Sequence, residues 1–467
     1  MVVRARMRVN KGWSRYSRSA TGEIQMATPV RSESELLKQA AQYSFRARMD
    51  KKTNEGPVFE YGRDSIVRDV NGKEYIDFNS GQMCAALGHN HPTIVAAIKA
   101  ACETMLHAHS SHYNVKEIEL ASRLGQIMPR PLQKSLFGES GSDANEMAMM
   151  IARKYTGGYE IASPHISFHG LSDATRAVTY SGWHGNHGHL PGGSYALIAP
   201  YCYRCPLQQT FPSCQFACLK TSFELIDAQS TGQPAAVITE PLFSAGGVVE
   251  PPPGWLKELQ SMCHERGMLL IVDEEQTGLG KLGQMFGFQS EGIVPDIVTV
   301  AKHFGGGVGV SAVTTTAAIE EKVVQDGYAA THSHANDPLI CAAGIASLDV
   351  IEQEDVPAKA RKIGQLMLER LEALKQRFEL VGDIRGRGQL IGVELVRDRQ
   401  SKEPATDEGR GIGQYCFSHG LIFSIRRNGS VLRFVPPATT TAAQIDAAMD
   451  ILMAAMERAS TRRHAGA

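Results

Sequence analysis

MLLIVDEEQTGLGKLG (residues 268–283) and PDIVTVAKHFGGG (residues 295–307) are the two stretches that decide the fold of this 467-residue chain. Each contains a short apolar run, which ends at Asp273 in the first stretch and just before Lys302 in the second. Short apolar runs bounded by polar residues and glycine are typical of buried strands. A lysine at the end of a buried strand is costly unless it is paired or used covalently, so Lys302 is a candidate functional residue.

Two further runs, EIASP (residues 160–164) and AAVITE (residues 235–240), have the same character, and helical stretches separate the four runs. This alternation predicts βαβ units and an α/β fold with a mostly parallel central sheet. Chemistry in such sheets lies beyond the carboxyl ends of the strands. We therefore expect Glu240, Asp273 and Lys302 to lie at one edge of the sheet.

The rest of the chain predicts smaller elements. Residues 58–78 alternate and turn at Asn71-Gly72, which is typical of short strands joined by a hairpin, and residues 91–106 have helical periodicity. Beyond Asp349, a long amphipathic stretch (359–378) precedes strand-like segments, which predicts a smaller α+β unit. The expected organisation is a basic arm over residues 1–35, a segment over 36–85 that packs with the small domain, a large cofactor-binding domain over 86–345 and a small domain over 346–467.

The composition argues against two classes of partner. With 48 basic and 49 acidic residues the formal net charge is −1, which does not indicate binding to nucleic acid. No apolar run approaches the roughly 20 residues that cross a bilayer, so we expect no membrane partner. Small-molecule substrates fit this composition.

The first 35 residues form a basic arm with six Arg and Lys residues before the first acid, Glu23, and with serines between them. This composition is typical of organelle transit peptides, but a disordered arm or a non-native leader before a start at Met26 fits as well. Because no secretory apolar segment is present, we expect a cytoplasmic protein, or a mitochondrial one if the arm is a transit peptide.

Four of the nine cysteines, Cys202, Cys205, Cys214 and Cys218, form a C-x2-C-x8-C-x3-C cluster. Thiolates at such spacings can bind zinc. The gap between the two pairs is short for a zinc ribbon and the segment contains prolines. Free thiols are therefore the favoured interpretation, with a metal site or a disulfide as the alternative.

Two features near the predicted strand ends suit a phosphorylated ring cofactor. Ser140, Gly141 and Ser142 precede a helix, where small residues and free N–H groups can bind phosphate, although capping serines are common at helix starts. Asp273 either caps the next element or holds a protonated ring nitrogen, as carboxylates do in pyridoxal 5'-phosphate (PLP) enzymes. The combination of an Asp-ending strand and a Lys-ending strand favours PLP.

The motifs DEEQTGLGKLG (273–283), PDIVTVAK (295–302) and LGHNHP (87–92) resemble those of class III aminotransferases, and the likeness runs from about Val58 to the C-terminus. The resemblance implies the fold type I, aspartate-aminotransferase-like architecture with a smaller α+β C-terminal domain. It also implies PLP as cofactor, amino acid and 2-oxo acid substrates, and homodimers with shared active sites that can pair into tetramers.

Within the family, DFNSGQMCAALGHNHP (77–92) and HSHANDPLICAAG (332–344) are most similar to the 2,2-dialkylglycine decarboxylases. This likeness implies loss of CO2 from an α,α-dialkyl amino acid, followed by amino transfer to pyruvate or another 2-oxo acid. An ordinary aminotransferase or a racemase, which acts without decarboxylation, is the alternative. A non-catalytic protein of the same fold is a third possibility, against which Asp273, Gln276, Lys302 and Arg433 argue together.

The resemblance also implies roles for individual residues. Lys302 would hold PLP as a Schiff base, Gln82 would contact the departing carboxylate, and Arg433 would bind the remaining one. The implied cofactor-binding residues are Ser140, Gly141, Ser142, Phe168, Glu240, Asp273, Gln276, Lys302 and, from across a dimer interface, Ser333 of the partner subunit. The implied substrate-binding residues are Gln82, Leu171, Ala245 and Arg433.

An alkali metal ion (K+ or Na+) is implied as well, with oxygen ligands from the Ala108 carbonyl, Ser110, Ser333, the Ala335 carbonyl and Asp337. The alternative is that Asp337 only caps a turn. Three residues depart from the decarboxylase pattern, because Phe168, Leu171 and Ala245 stand where it has Trp, Met and Ser. The change at residue 245 removes a hydroxyl from the pocket, which leaves the substrate open, and the absence of a glutamate there argues against an ω-amino acid.

Overall fold

The computed structural model describes residues 17–18, 24–25, 32–45, 56–182, 188–330 and 332–465. Most of the predicted basic arm, residues 1–35, lies outside these residues. The chain divides into two compact units, of which the first comprises Met1–Tyr61 and Arg68–Glu74 and the second Gly62–Val67 and Tyr75–Ala467. The four domain boundaries expected from the sequence stay a prediction.

The strands and helices are numbered in chain order. The first half contains β1 Ser17–Arg18, β2 Ile24–Gln25, α1 Glu33–Tyr43, β3 Phe59–Arg63, β4 Ile66–Asp69, β5 Glu74–Asp77, α2 Ser80–Met83, α3 Pro92–Thr104, α4 Val115–Ile127, β6 Leu132–Gly138, α5 Gly141–Thr156, β7 Glu160–Pro164, α6 Asp173–Ala177, β8 Ser194–Leu197, α7 Ala217–Gln229 and β9 Pro234–Thr239. The second half contains α8 Trp255–His264, β10 Leu269–Asp273, β11 Ile297–Val300, β12 Ser311–Thr316, α9 Ala317–Gln325, α10 Pro338–Gln353, α11 Val356–Arg377, β13 Val381–Arg387, β14 Leu390–Leu395, α12 Thr406–Ser418, β15 Leu421–Ile422, β16 Ser424–Arg426, β17 Val431–Phe434 and α13 Ala442–Ala465.

In the first unit, helix α1 begins with a capping box in which Ser32 and Glu35 exchange hydrogen bonds. The carboxylate of Glu33 accepts hydrogen bonds from the Val58 N–H at 3.1 Å and the Asn71 side chain at 2.6 Å. The predicted turn at Asn71-Gly72 is confirmed, because Gly72 has a φ of 85° and its N–H bonds to the Asp69 carbonyl.

The second unit is built around a seven-stranded sheet in the order β6-β12-β11-β10-β9-β7-β8. All neighbouring pairs from β11 to β8 are parallel, and β12 pairs antiparallel with both β11 and β6. The predicted mostly parallel sheet is thus confirmed. The runs EIASP, AAVITE, LLIVD and DIVTV form β7, β9, β10 and β11 at its centre.

Both faces of this sheet are covered, because successive side chains of a strand point to opposite faces. Leu270 and Val272 of β10 belong to one apolar cluster with Phe223 and Trp255, whereas Leu269 and Ile271 belong to the cluster that helix α5 covers. This two-sided burial explains why the strands read as continuous apolar runs rather than as alternating ones.

The C-terminal region forms a second sheet of four antiparallel strands in the order β13-β14-β17-β16. Its own apolar core includes residues of α11, α12 and α13, so the predicted α+β unit is confirmed. Strand β17 places Arg433 opposite Gly392 of β14. Of the helices in the described residues, none is both long and apolar enough to span a bilayer.

Candidate active site

The charged residues of the three central strands converge at one edge of the sheet, as the sequence predicts. Glu240 directly follows β9, Asp273 ends β10, and Lys302 follows β11, and these three parallel strands are neighbours. Lys302 has a φ of 57°, in the left-handed region that disfavours residues with a Cβ. Such local strain persists where surrounding structure fixes the side chain, and it is found most often at functional sites.

Asp273 is a buried, ionised carboxylate. Its Oδ2 accepts hydrogen bonds from Asn145 Nδ2 at 2.8 Å and lies 2.8 Å from His169 Nδ1, and its Oδ1 accepts from the Glu275 N–H at 3.0 Å. Burial raises the pKa of Asp273, but the bonds and charges of His169 and Lys302 outweigh it and lower the pKa overall. Oδ1 caps the local turn, which is one of the two roles expected for Asp273, whereas the role toward a ring nitrogen stays a prediction.

Lys302 makes an ion pair with a residue that the sequence reasoning did not single out. Its Nζ lies 3.0 Å from Oε2 of Glu275, whose Oε1 accepts from Asn145 Nδ2 at 3.0 Å. Burial lowers the pKa of Lys302, but the negative charges of Glu275 and Asp273 outweigh burial and raise it. Free Lys302 is therefore an ammonium ion at neutral pH.

Glu240 anchors two loops of the site. Its Oε1 accepts the Phe168 N–H at 3.0 Å and its Oε2 accepts the Ser244 N–H at 3.1 Å. Burial and the nearby charge of Asp273 raise the pKa of Glu240 to about 8. The contacts place Phe168 and half-buried Ala245, which follows Ser244, beside the strand ends.

The N-terminus of helix α5 lies beside the same strand ends. Ser140 is its N-cap, and Ser140 and Asp143 form a capping box. The Leu171 N–H donates to the Ser142 side chain at 3.2 Å, which fixes the loop after Phe168 against the helix start. The structure thus brings Ser140, Gly141 and Ser142 to one place, with exposed Leu171 next to them.

Arg433 reaches the site from the C-terminal sheet and is 1% exposed. Its guanidinium donates to Ser424 at 2.8 Å, to Ser244 at 3.0 Å and to Gln276 Oε1 at 3.3 Å. Within the described residues, its Nη2 is buried without a hydrogen-bond partner. Burial and the charge of Arg426 lower the pKa of Arg433, which reflects the cost of a buried cation, and an anion bound at Nη2 would offset that cost.

Gln82 lies in a strained turn that is hydrogen-bonded to the residue directly after strand β17, the strand that carries Arg433. Ser80, Gly81 and Met83 all have positive φ angles, and the Ser80 hydroxyl donates to the Val435 carbonyl at 2.6 Å. Gln82 itself is exposed, so the described chain places its backbone near the site and assigns no fixed contact to its side chain.

The predicted metal ligands lie in a separate group around buried Asp337. The structure brings Asp337 and Ala108 together, but the Ala108 N–H donates to Oδ1 at 3.2 Å. His107 Nδ1 and His334 Nδ1 lie 2.7 and 2.6 Å from the two carboxylate oxygens, and these three side chains form a group that could bind a metal. Asp337 is the N-cap residue of helix α10, and its side chain makes no capping bond to that helix; both interpretations of Asp337 stay predictions.

The remaining predicted ligands differ in exposure. Ser333 is exposed, Ser110 is half-buried and Ala335 is buried. The predicted ligands are all oxygen donors and so do not include the two histidines, although both histidines flank predicted ligands in the sequence. The alkali-ion site stays a prediction.

Sequence reasoning also missed Asn145, His169 and Glu275. His169 follows Phe168 and Glu275 follows Asp273 by two positions, so proximity to predicted residues was the available signal. Asn145 gave no comparable signal, because only the packing of α5 against β10 and β11 brings it to Asp273 and to the Thr299 hydroxyl at 2.7 Å.

The cysteine cluster lies away from these residues. Cys202, Cys205, Cys214 and Cys218 are free thiols that line one small cavity with Phe211 and Phe216. Burial and the neighbouring thiols raise the pKa of Cys202 to about 11, so its thiolate is scarce at neutral pH. Within the described residues no disulfide joins them.

The donor set suits PLP. The buried ionised carboxylate of Asp273 can hold a protonated ring nitrogen, Lys302 lies at the same edge, and the N–H groups at the start of α5 can bind phosphate. The unpartnered Arg433 Nη2 suits a substrate carboxylate. Glu275 is the exception, because its carboxylate would repel the negatively charged phosphate of the cofactor.

The fold and this site together define a fold type I PLP-dependent enzyme. The family described as aminotransferase class-III matches residues 50–456. The chain belongs to the class III aminotransferases, which use PLP.

The chain is similar to several known members of this family. An uncharacterized aminotransferase of Schizosaccharomyces pombe is 36% identical over 394 residues, which cover 84% of this chain and 88% of that protein. A leucine/methionine racemase of Thermococcus litoralis is 36% identical over 398 residues, again 84% of this chain and 88% of that protein. A solved amine transaminase from an uncultivated Pseudomonas species, in its PLP-bound form, superposes with a TM-score of 0.82 at 30% identity and covers 87% of this chain and 96% of that one.

Proposed function

We propose that the chain is an aminotransferase that takes its amino group from an α-amino acid and passes it to a 2-oxo acid, without loss of CO2. The observation that carries this proposal is the buried guanidinium of Arg433, whose Nη2 has no partner in the described part of the chain and whose Nη1 donates to Gln276 beside the PLP residues. A fixed cation at this place suits the carboxylate that α-amino acids and 2-oxo acids share. The aminotransferases among its relatives support the same reaction class.

Each residue then has a role that its surroundings support. When bound, PLP supplies an electron sink for the substrate's α-carbon. Lys302 binds the cofactor and, once released as a neutral amine, moves a proton at the α-carbon. Asp273, kept ionised by His169 and Asn145, holds the ring nitrogen protonated. Arg433 orients the substrate through its carboxylate, since position decides which bond reacts.

The remaining predicted residues position the cofactor. We propose that Ser140, Gly141 and Ser142 bind the phosphate, that Phe168 packs on the ring, and that Gln276 bonds to its hydroxyl. Glu240 supports this arrangement by holding the Phe168 and Ser244 backbones. Gln82, Leu171 and Ala245 line the substrate side.

Racemisation is the second candidate, because the chain is 36% identical to a leucine/methionine racemase and 32% identical to an isoleucine 2-epimerase. Both reactions begin with loss of the α-proton, so the same Lys302 serves either. Incubation of one pure L-amino acid without a 2-oxo acid separates them, since only a racemase forms the D-isomer under this condition.

Decarboxylation with amino transfer is a further alternative. Its support is the sequence likeness to the decarboxylases around Gln82 and in residues 332–344. The test is incubation with 2-aminoisobutyrate and pyruvate, with CO2 and alanine measured together. We expect neither product at a rate near that of an ordinary α-amino acid donor. Equal amounts of CO2 and alanine, formed at that rate, would replace the proposed reaction by the decarboxylating one.

Arg433→Gln should raise the KM for α-amino acid donors by about thirtyfold or more, because a buried charge-assisted contact to a carboxylate is worth about 2–5 kcal/mol. Glutamine can still accept or donate one bond to Ser244 or Gln276. An amine donor without a carboxylate is the internal control, and its KM should change little. Equal losses for both donors would show that Arg433 supports the fold rather than the substrate.

We further propose a homodimer, which the resemblance implies. Exposed apolar side chains on and before α4 support it, namely Met105, Leu106, Tyr113, Val115 and Ile118. Ser333 is exposed in the single chain, as a residue that acts across an interface would be. We also propose an alkali metal ion near Asp337, which the resemblance implies. A cytoplasmic location is likewise a proposal.

A further inference from the structure

Glu275 is the one acid in hydrogen-bond contact with Lys302 among the described residues. Both of its carboxylate oxygens are held, one by Lys302 Nζ and the other by Asn145 Nδ2, each at 3.0 Å. The side chain is only 10% exposed. Water therefore screens this ion pair far less than it screens a surface pair, and its effect on Lys302 is correspondingly large.

Glu275 reaches this place because residue 141 is glycine. A Cβ built on Gly141 would lie 1.8 Å from Oε2 of Glu275, which leaves no room for a larger residue there. The carboxylate consequently lies against the first residue of helix α5, where the helix dipole stabilises negative charge. The position of Glu275 is thus fixed by Lys302, Asn145 and the start of α5.

The charges around this pair favour an ammonium ion at Lys302. Asp273 also faces Lys302, but its carboxylate is already bound by His169 and Asn145, whereas Glu275 contacts Nζ directly. Burial raises the pKa of Glu275 to about 7, Asp273 adds to this, and Lys302 opposes it. The titratable groups that face Lys302 are Glu275, Asp273, Glu240, Cys84, Lys281 and His303, and Asp143 of helix α5 additionally faces Glu275.

We propose that Glu275 is a positioning residue that holds free Lys302 as an ammonium ion and thereby sets the pH at which this lysine bonds to PLP. The inference rests on the proposed role of Lys302. Only the neutral amine can add to the aldehyde carbon of PLP, so the ammonium must first release a proton to solvent. The C–N bond then forms and the aldehyde oxygen leaves as water. The ion pair opposes the first of these events.

The test is the rate constant of covalent PLP capture by the apoenzyme, followed by cofactor absorbance as a function of pH. Glu275→Gln keeps the size of the side chain and an oxygen for Asn145 but removes the charge. Asp273 then remains as the main charge that opposes burial, so the pKa of Lys302 falls below its wild-type value. We expect the midpoint of the pH profile to fall by at least about one unit, and capture near neutral pH to become about tenfold faster.

Glu274→Gln is the matched control. Glu274 is also buried, and burial raises its pKa to about 7 as well, but its carboxylate accepts from Thr277 and from the Phe288 N–H instead of contacting Lys302. The midpoint of the pH profile for PLP capture by Glu274→Gln should equal that of the wild type. Binding of pyridoxamine 5'-phosphate, which forms no bond to lysine, shows that each variant is folded and accepts the cofactor.

An unchanged midpoint in Glu275→Gln, with pyridoxamine 5'-phosphate still bound, would overturn the inference. If Glu275→Gln does not fold, Glu275→Asp serves instead, because its carboxylate is one methylene farther from Lys302 and should lower the midpoint by a smaller amount. No shift in that variant would equally contradict the inference. Capture that persists in Lys302→Ala is a different result, since it removes the proposed role of Lys302 itself.

Discussion

Lys302→Ala should lower kcat for amino transfer by at least about a thousandfold, because the variant loses both the covalent attachment and the group that moves the α-proton. The absorbance of lysine-bound PLP should vanish as well. Steady-state kinetics with an α-amino acid and a 2-oxo acid, together with the cofactor spectrum, measure the two effects.

Lys302→Arg distinguishes the covalent and proton-transfer roles of Lys302 from the effect of its positive charge. Arginine keeps a positive group opposite Glu275 but neither bonds to PLP nor gives up a proton near neutral pH. It should be as inactive as the alanine variant while binding pyridoxamine 5'-phosphate. If Lys302→Arg retained wild-type kcat, the lysine would serve only as a counter-ion.

Asp273→Asn should lower kcat by about a hundred- to a thousandfold, the usual effect of removing one group that stabilises charge in a buried site. The amide cannot hold a proton on the cofactor's ring nitrogen by charge, so the electron sink is weakened. The three donors that now reach Asp273, from His169, Asn145 and the Glu275 N–H, also lose their anionic acceptor. A fall in kcat with little change in KM is the expected kinetic signature.

Asp296→Asn is the control for this change. Asp296 lies at the opposite, amino end of β11, where its carboxylate accepts from the Leu270 N–H at 2.8 Å and lies 2.9 Å from His264. Its kcat should match that of the wild type even if its melting temperature falls. Equal losses of kcat in the two variants would mean that Asp273 acts through stability alone.

Much of the fold could be predicted because buried parallel strands leave a strong local signal. The runs that became β7, β9, β10 and β11 are continuous and apolar, since both faces of the sheet are covered. The edge at which Glu240, Asp273 and Lys302 meet followed from strand direction alone. The turn at Ser80–Met83, with its positive φ angles, was not predicted, because the hydrogen bond from Ser80 to the Val435 carbonyl joins segments far apart in the sequence.

Lys302 and Asp273 could be found from the sequence by itself. Each is a charged residue at the end of an apolar strand, and a charge beside a buried apolar run is visible in the local sequence. The contacts of Glu275, Asn145 and His169 could not be found in this way, since their partners come from α5, β10 and the loop after β7, and only packing brings these segments within 3 Å of one another. The sequence alone therefore determined which strands carry the chemistry. The tertiary structure decided which charges neutralise one another, because Coulomb interactions in a buried site depend on distances between segments that sequence spacing does not encode.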